Sequence, residues 1–436
     1  MKKGIIRMKR IIYMFGVLIM IMVASGCNSK NGIKNSIAYG ENGTVIYENT
    51  GNKINEDSVF ELASNGKVVT AYIALKLVDE GLIGLDDKIY PYLDDKYLTE
   101  DERLKEITLR QLLNHTAGFS PSYELGIDKK TYSDPGEEFC YSGVGYIYLQ
   151  NVIENVSGMS LEEAAGQYVL NPLNMNNSTF EKRKTVAGHM NMSSAVLYAF
   201  VVYIIVFVVL FLIVFAIGKI TKNKYYSLKA GMAVVFVLAG IINTVALLII
   251  PNVSKSLYIF LIYFAISGLI LLVGRKNSKL FYLCIPVLTT VILVLGFTIP
   301  VSIPVTGDLL PRGANAAYSL KSTSKDMAKF CQKLLDEYAA GNNAVSEMFS
   351  DSVAIDETNS WGLGIGIEQK SGRKTYWHSG INPGFQSLLV IDPIENKYAI
   401  ILTSDDKGLS IAKSAAKDFL GIDGTWDIPR GRINLR

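Results

Sequence analysis

The sequence predicts an α/β protein of the α+β type, with an antiparallel sheet flanked by helices, a helical subdomain and an inserted four-helix transmembrane bundle. Near the C-terminus, consecutive strand patterns are joined by short turns, and helical patterns occur in both flanking portions of the chain. Four long apolar runs between residues 193 and 300 separate these two portions and predict the membrane unit.

The composition limits the classes of protein to consider. The 436 residues have a mean hydropathy of +0.25, and the apolar excess is concentrated at the N-terminus and in the central block. A net charge of +3, without a basic patch, gives no reason to expect a nucleic-acid partner. The four cysteines have no metal-ligand spacing, so no metal is expected. At most Cys140 and Cys331 could pair, and we expect both to be buried thiols.

The first 27 residues have the features of an export signal. A basic segment, MKKGIIRMKR, precedes an apolar run that is short for a membrane span, and small residues follow it. Cys27 directly after Ala-Ser-Gly resembles the acylation site of bacterial lipoproteins. The alternative is a signal that is cleaved elsewhere or retained, and in every case the following segment is exported.

Residues 28–192 form the first predicted half of the exported domain. Asn35 to Asn49 has the pattern of a hairpin, and the stretch Phe60 to Gly81 contains a first predicted helix that begins at Ser64. Further helices are predicted over Thr108 to Asn114, Gly145 to Val156 and Leu161 to Val169. In the first helix, Val68, Tyr72, Leu75 and Val78 recur with helical spacing.

Ser64 and Lys67 are placed where this first helix should begin. Residues three apart on a helix are neighbours, so the Lys67 amine would lie close to the Ser64 hydroxyl. Burial and the helix dipole would both lower the pKa of the lysine and allow it to act as a base toward serine. The alternative is an ordinary N-cap followed by a solvated lysine, because Ser-x-x-Lys also occurs elsewhere in the chain.

The central block, residues 193–300, is interpreted as a membrane insertion. Each of its runs approaches the ~20 residues that a spanning helix needs, and buried soluble helices are the alternative. The first and third connections are rich in lysine and arginine, whereas the second has only Lys255, so the positive-inside rule places both flanking halves outside the cytoplasm. The apolar interiors carry no charged residue, which favours an anchor over a transporter.

Residues 301–425 form the second predicted half, and 426–436 a C-terminal tail. A loop over Gly307 to Ala317 precedes a helix over Ser324 to Glu337, and a last helix is predicted from about Leu409 to Leu420. Between these helices, strands are predicted at the following segments: Trp361 to Glu368, Thr375 to His378, Gln386 to Asp392 and Tyr398 to Thr403.

Four motifs now occur in a recognisable order. They are Ser64-Asn-Gly-Lys67, then Ile107-Thr-Leu-Arg-Gln-Leu-Leu-Asn-His-Thr-Ala-Gly118, then Tyr141-Ser142, then His378-Ser379-Gly380. In this order the chain resembles the serine beta-lactamase and penicillin-binding protein superfamily, in its class C-related branch. The resemblance implies a beta-lactamase/transpeptidase-like fold in both exported halves and leaves the membrane block unexplained.

The resemblance also implies roles for individual residues. Ser64 would be the acylated nucleophile, Lys67 its proton partner, and Tyr141 a proton shuttle whose pKa is lowered by nearby cations. His378 would donate to Tyr141 or to a substrate carboxylate. Backbone N–H groups of Ser64 and Ile381 would bind the oxyanion, beside Ser379 and Gly380 of the third motif.

One departure from the family pattern concerns Gly143, which stands where the second motif usually has Asn. The amide that would hold the substrate's acyl group is therefore missing, which shifts the expectation toward esters or weak peptidase activity. His115 is interpreted as structural.

The sequence thus predicts an exported, membrane-anchored serine hydrolase without a cofactor, acting on D-amino-acid peptides, beta-lactams or small esters. The alternative is a catalytically weak receptor that retains the pocket. The expected partners are a small-molecule or peptidoglycan-derived substrate and the lipid bilayer, and the sequence identifies no protein partner. Because Ser64 precedes the membrane unit and His378 follows it, only an even number of spans lets them meet.

Overall fold

The computed structural model describes residues 33–120, 130–191, 302–305 and 313–428. The chain divides into two compact units, and the larger one comprises Ile33–Gly188 and Leu310–Arg436. The predicted export signal, Cys27 and the four predicted membrane runs lie outside the described residues. Within the described ranges, no helix has the length and apolar character needed to cross a bilayer.

The strands of the described ranges are numbered in chain order. They are β1 (Asn35–Glu41), β2 (Thr44–Thr50), β3 (Phe60–Glu61), β4 (Gly188–Asn191), β5 (Ser302–Val305), β6 (Lys321–Ser322), β7 (Val353–Ala354), β8 (Asn359–Trp361), β9 (Gly366–Lys370), β10 (Arg373–Asn382), β11 (Phe385–Asp392) and β12 (Lys397–Thr403).

The helices of the described ranges are numbered in the same way. They are α1 (Gly66–Asp79), α2 (Leu109–Leu113), α3 (Gly143–Ser157), α4 (Leu161–Ala165), α5 (Ser324–Ala340) and α6 (Gly408–Leu420).

Eight of these strands form one antiparallel sheet in the order β2-β1-β12-β11-β10-β9-β8-β7. Strand β1 comes from the first half of the exported sequence and pairs with β12 from the second half, with Ile37 opposite Ile401. The two halves therefore build a single sheet. The predicted antiparallel sheet with flanking helices is confirmed.

The sheet is covered by helices that come from the second half. Side chains alternate along β12, so Ala399 and Ile401 face the cluster formed with α6, whereas their neighbours face the other way. Helix α5 also contacts β12 and β1. Trp426, which the sequence places in the C-terminal tail, is fully buried in the α6 cluster. Both Cys140 and Cys331 are buried free thiols, as expected.

Several predicted elements have the expected position with shifted ends. The hairpin is formed by β1 and β2, and Thr108 caps α2 in a capping box with Gln111. The strand predicted over Trp361 to Glu368 is wrong as a single element, because it divides into β8 and β9. Gly364 adopts a φ of 89° between them, and Gly362 N–H donates to the Ile365 carbonyl, which closes a turn.

The smaller unit contributes one short feature to the described residues. Strand β4 pairs with β5 in a two-stranded sheet. The chain segments that flank residues 192–301 therefore lie side by side.

Candidate active site

The predicted nucleophile lies in a tight turn before α1. Residues Ala63–Asn65 form a single 3-10 turn, and α1 begins at Gly66. Ser64 therefore precedes the N-cap position, which Asn65 occupies without a side-chain cap bond. The expectation that Ser64 opens the helix is corrected, because the 3-10 turn moves the start of α1 to Gly66, whereas the expected closeness of Ser64 and Lys67 is found. Ala63 holds a φ of 50°, a left-handed conformation that is uncommon for a residue with a Cβ.

Lys67 is held beside Ser64 in an almost fully buried position. Its Nζ lies 3.0 Å from Ser64 Oγ and 2.6 Å from the Ala317 carbonyl oxygen. Only 2% of the side chain is exposed, and burial lowers the pKa of Lys67 from 10.5 to about 7. A large fraction of the amine is therefore neutral near pH 7 and can accept a proton from the serine.

Tyr141 lies against the same amine, but the pKa of its phenol is raised, whereas the sequence motifs predicted a lowered pKa. Lys67 Nζ is 5.1 Å from the centre of the Tyr141 ring. Burial raises the pKa of the Tyr141 phenol well above its usual value, and a hydrogen bond with Ser64 offsets only part of that rise. Burial is the largest influence on the pKa of this phenol, so the expectation of a lowered pKa is wrong. Tyr141 is therefore a neutral phenol that keeps its proton.

His378 on β10 is fully buried, and its contacts define its tautomer. Nδ1 lies 2.8 Å from the Ser379 carbonyl oxygen, which can only accept, so Nδ1 carries the proton. Nε2 is then an acceptor and faces Tyr141 Oη at 3.4 Å. Burial, and then the charge of Lys67, lower the pKa of His378 to about 3. In this arrangement His378 accepts from Tyr141 rather than donating to it, contrary to the expected role.

The end of β10 comes very close to the nucleophile turn. A Cβ placed on Gly380 would lie 2.0 Å from the Leu62 carbonyl oxygen, so only glycine fits there. Ser379 is buried, whereas Ile381 is 61% exposed at the end of the strand. This approach brings the chain at Ile381 toward the turn that carries Ser64, as an oxyanion site built from their N–H groups requires.

The second motif is held in place by the hydrogen bonds of Ser142. Gly143 has no side chain and contributes no polar group to it. Ser142 caps α3 by accepting from Gly145 N–H at 3.0 Å, and its hydroxyl donates to the Ser120 carbonyl at 2.6 Å. The Ser142 N–H donates to Nδ1 of buried His115 at 3.1 Å, which agrees with a structural role for that histidine. Gly143 is the first residue of α3.

The residues that hold the Ala317 carbonyl were not predicted from the sequence. Gln150 on α3 accepts from Ala316 N–H at 3.0 Å and donates to the Ala314 carbonyl at 3.3 Å. Ala317 contributes only a backbone oxygen, so no side-chain signal marks it. The available signal was Gln150 itself, a polar residue between the apolar Leu149 and Val152 of a largely buried helix.

The structure therefore brings Ser64, Lys67, Tyr141 and His378 together. Ser379, Gly380 and Ile381 lie on the adjoining strand, and Gly143 opens the helix that follows Tyr141. Among the described residues no cluster of ligands suited to a metal ion occurs. These contacts provide a serine hydroxyl, a base, a phenol and a close pair of backbone segments, which are the groups needed for acyl transfer.

Comparisons with known proteins agree with this arrangement. The sequence matches the family described as Beta-lactamase over residues 35–192 and 300–418. It is 27% identical over 149 residues to penicillin-binding protein 4 of Amycolatopsis lactamdurans, covering 31% of this chain and 39% of the relative. It is 26% identical over 184 residues to penicillin-binding protein 4* of Bacillus subtilis, covering 36% and 40%. The chain thus spans about two fifths of each of these curated relatives.

A similar fold occurs among solved structures. A D-stereospecific amidohydrolase from Streptomyces sp. superposes with a TM-score of 0.57 at 18% identity. The match covers 91% of this chain and 97% of that enzyme.

Proposed function

Because the chain belongs to the beta-lactamase family of serine hydrolases, we propose that Ser64 forms an acyl-enzyme on the outer side of a bacterial membrane. The observation that carries the proposal is the contact between Lys67 Nζ and Ser64 Oγ at 3.0 Å, with the pKa of Lys67 lowered to about 7. A neutral amine at this distance is the base that a serine nucleophile needs.

Acylation proceeds in two proton transfers. Neutral Lys67 takes the Ser64 proton as Oγ attacks the substrate carbonyl, and the N–H groups of Ser64 and Ile381 hold the oxyanion. As the tetrahedral intermediate collapses, Tyr141 gives its proton to the leaving group and regains one from the Lys67 ammonium. Lys67 is then neutral again and can activate the water that hydrolyses the acyl-enzyme.

The substrate class follows from the charge of the site. His378 is neutral, with Nδ1 committed to the Ser379 carbonyl and Nε2 facing Tyr141, so it offers no cation to a substrate carboxylate. Gly143 offers no amide to the acyl group. Both features favour small neutral esters or amides over beta-lactams and D-amino-acid peptides with a free carboxylate. Membership of the class C-related branch is part of the same proposal.

The membrane arrangement is the second part of the proposal. We place residues 193–300 across the bilayer as four spans, with the N-terminal segment exported and Cys27 a candidate lipid anchor. The pairing of β4 with β5 supports an even number of crossings, because it joins the chain on either side of the insertion. The single sheet built from both halves supports a location of both halves on the same side of the bilayer, and the charges of the connections favour the side outside the cytoplasm.

Gly143 also favours one alternative function. Without the motif amide, the site could be acylated and turn over too slowly to be a useful enzyme, and the protein would then act as a receptor for the acylating ligand. The two functions differ in the lifetime of the acyl-enzyme.

Intact-mass analysis distinguishes the two functions. The purified full chain is exposed in parallel to p-nitrophenyl butyrate, a D-Ala-D-Ala peptide, a fluorescent penicillin and a fluorophosphonate. We expect a covalent adduct that is absent in Ser64→Ala and, for the ester, is lost within the turnover time. A stable ester adduct favours the receptor, and no adduct with any reagent contradicts acylation at Ser64.

Cysteine accessibility tests the membrane arrangement. Glu48→Cys and Glu357→Cys each add one cysteine, at an exposed position of one half, and labelling is compared with the parent chain that carries only the four native cysteines. In intact cells, we expect a membrane-impermeant maleimide to label both. Labelling of only one position contradicts the proposed topology.

A further inference from the structure

The oxyanion site depends on two backbone segments that are distant in the chain. One segment is the turn that carries Ser64, and the other is the end of β10 that carries Ile381. The distance between their N–H groups decides whether both can reach one oxyanion. What fixes this distance matters for catalysis on the premise that Ser64 is acylated as proposed.

Ser387 on β11 connects these segments from behind the site. It lies directly opposite Gly380 in the sheet register and is fully buried. Its hydroxyl donates to the Leu62 carbonyl oxygen at 2.7 Å, just before the nucleophile turn. The same hydroxyl accepts from Asn65 Nδ2 at 2.7 Å, just after Ser64.

The connection holds the turn at both ends. Asn65 is fully buried, and its backbone N–H also donates to the Leu62 carbonyl at 3.2 Å. Between these points Ala63 adopts its left-handed φ of 50°. A left-handed Ala persists only where surrounding contacts hold it, and the hydroxyl of Ser387 supplies such a contact.

The contact also sets how closely the turn approaches β10. The Leu62 oxygen that accepts from Ser387 is the atom that excludes a Cβ at Gly380. Because Ser387 and Gly380 are register partners on neighbouring strands, a bond from Ser387 to Leu62 fixes the turn against the strand that carries Ile381.

We propose that Ser387 and Asn65 are positioning residues, which set the separation of the two oxyanion-binding N–H groups through the hydrogen-bond chain Asn65–Ser387–Leu62. Neither side chain touches the substrate. Both act through the backbone of the nucleophile turn, so their loss affects the transition state more than substrate binding.

The expected effect of Ser387→Ala follows from what an oxyanion donor contributes. Loss of one donor costs about 100- to 1000-fold in kcat in serine hydrolases, and a displaced donor retains part of its contribution. We therefore expect kcat for p-nitrophenyl butyrate to fall about 10- to 100-fold, with KM changed less than about threefold. Affinity for an alkyl boronic acid, which forms a tetrahedral adduct on serine, should fall in parallel with kcat.

A second variant and a matched control make the test specific. Asn65→Ala removes the other bond to the Ser387 hydroxyl and should also lower kcat, whereas Ser178→Ala removes a buried hydroxyl that contacts Ser322 and Asp326 and should not. Asn65 and Ser387 act through the same chain of hydrogen bonds. The double variant, Asn65→Ala with Ser387→Ala, should therefore be no more than about twofold slower than Ser387→Ala alone. Ser387→Thr keeps the hydroxyl and should recover part of the rate.

The outcomes separate this inference from the proposed function. If the wild type is not acylated by fluorophosphonate, the proposed function fails and this inference with it. If the wild type is acylated and Asn65→Ala retains its kcat and boronate affinity within about twofold, only the positioning role fails. The Asn65 variant decides the question even if Ser387→Ala does not fold.

Discussion

Lys67 Nζ donates to the Ala317 carbonyl oxygen at 2.6 Å, across a separation of 250 positions in the chain. The acceptor lies beyond the inserted block, whereas the amine lies before it. Lys67, the base of the proposed reaction, is thus oriented by the loop of the second half that carries Ala317. Gln150 holds that loop through Ala316 and Ala314.

The first prediction concerns this support of the lysine. Gln150→Leu removes both hydrogen bonds to the loop and should let the Ala317 carbonyl move away from Lys67. A small misplacement of a catalytic group is costly, so we expect the rate of acylation by fluorophosphonate to fall about tenfold. The measurement is the labelling rate of folded protein. Gln332→Leu, at a glutamine of α5 whose side-chain amide donates to Asp336, is the control and should keep the wild-type rate. An unchanged rate in Gln150→Leu would contradict the supporting role.

The second prediction is the pH dependence of acylation. Lys67 is the base only when neutral, and its pKa is lowered to about 7. The acylation rate with a neutral ester should therefore rise with pH, reach half its maximum near pH 7 and level off above pH 8. His378, with a pKa lowered to about 3, does not titrate in this range. A rate that is flat from pH 5 to pH 9, or one that rises only near pH 10, would show that Lys67 is not the base.

The third prediction is that Lys67 reduces stability. A pKa lowered from 10.5 in the unfolded chain to about 7 means that the unfolded state binds the proton more tightly. The resulting loss of folding stability is fully present below pH 7, decreases as the pH rises, and disappears above pH 10.5. At pH 7, Lys67→Met should therefore unfold at a higher temperature than wild type. Its free energy of unfolding should be higher by about 2 kcal/mol, after the lost hydrogen bond to Ala317 is subtracted from the gain of removing the buried amine.

Thermal unfolding at pH 7 and pH 10 measures this effect. The difference between Lys67→Met and wild type should be smaller at pH 10. Lys76→Met, at a partly exposed position that pairs with Asp79 on the same helix, is the control and should show no comparable stabilisation. A less stable Lys67→Met at both values of pH would contradict the cost of burying the amine.

The sequence predicted which side chains lie together at the site, but not the protonation states and hydrogen-bonding roles of those side chains. Ser64 and Lys67 could be found because a helical spacing of three brings side chains together. The neutral state of Tyr141 could not, because it depends on burial by residues distant in the chain. The acceptor role of His378 could not either, because it depends on the contact of Nδ1 with the Ser379 carbonyl, which only the folded backbone shows. The Ala317 carbonyl was missed for a related reason, since a backbone oxygen has no residue type to recognise.

The same limit explains the differences in the fold. Alternating apolar residues predicted a continuous strand from Trp361 to Glu368, but Gly364 takes a positive φ where a Cβ would lie 2.2 Å from Ala71 Cβ. The close approach of α1 at Gly364 is a long-range contact, which the local apolar pattern does not reveal. Trp426 is similar, because its N–H donates to Glu368 in the sheet and places a tail residue in the core.

The last prediction concerns substrate choice at Gly143. This residue is the first of α3, directly after Tyr141 and Ser142, and Asn is tolerated at such a position. Gly143→Asn would supply an amide facing the acyl group and Lys67, which the second motif otherwise lacks. One added hydrogen bond to the acyl group contributes about 1 kcal/mol, so the rate of labelling by fluorescent penicillin should rise about fivefold, while ester hydrolysis changes less. Gly143→Ala, which removes the glycine without adding an amide, is the matched control and should not gain reactivity. Equal penicillin labelling in Gly143→Asn and Gly143→Ala, both folded, would mean that the missing amide does not limit the reaction with beta-lactams.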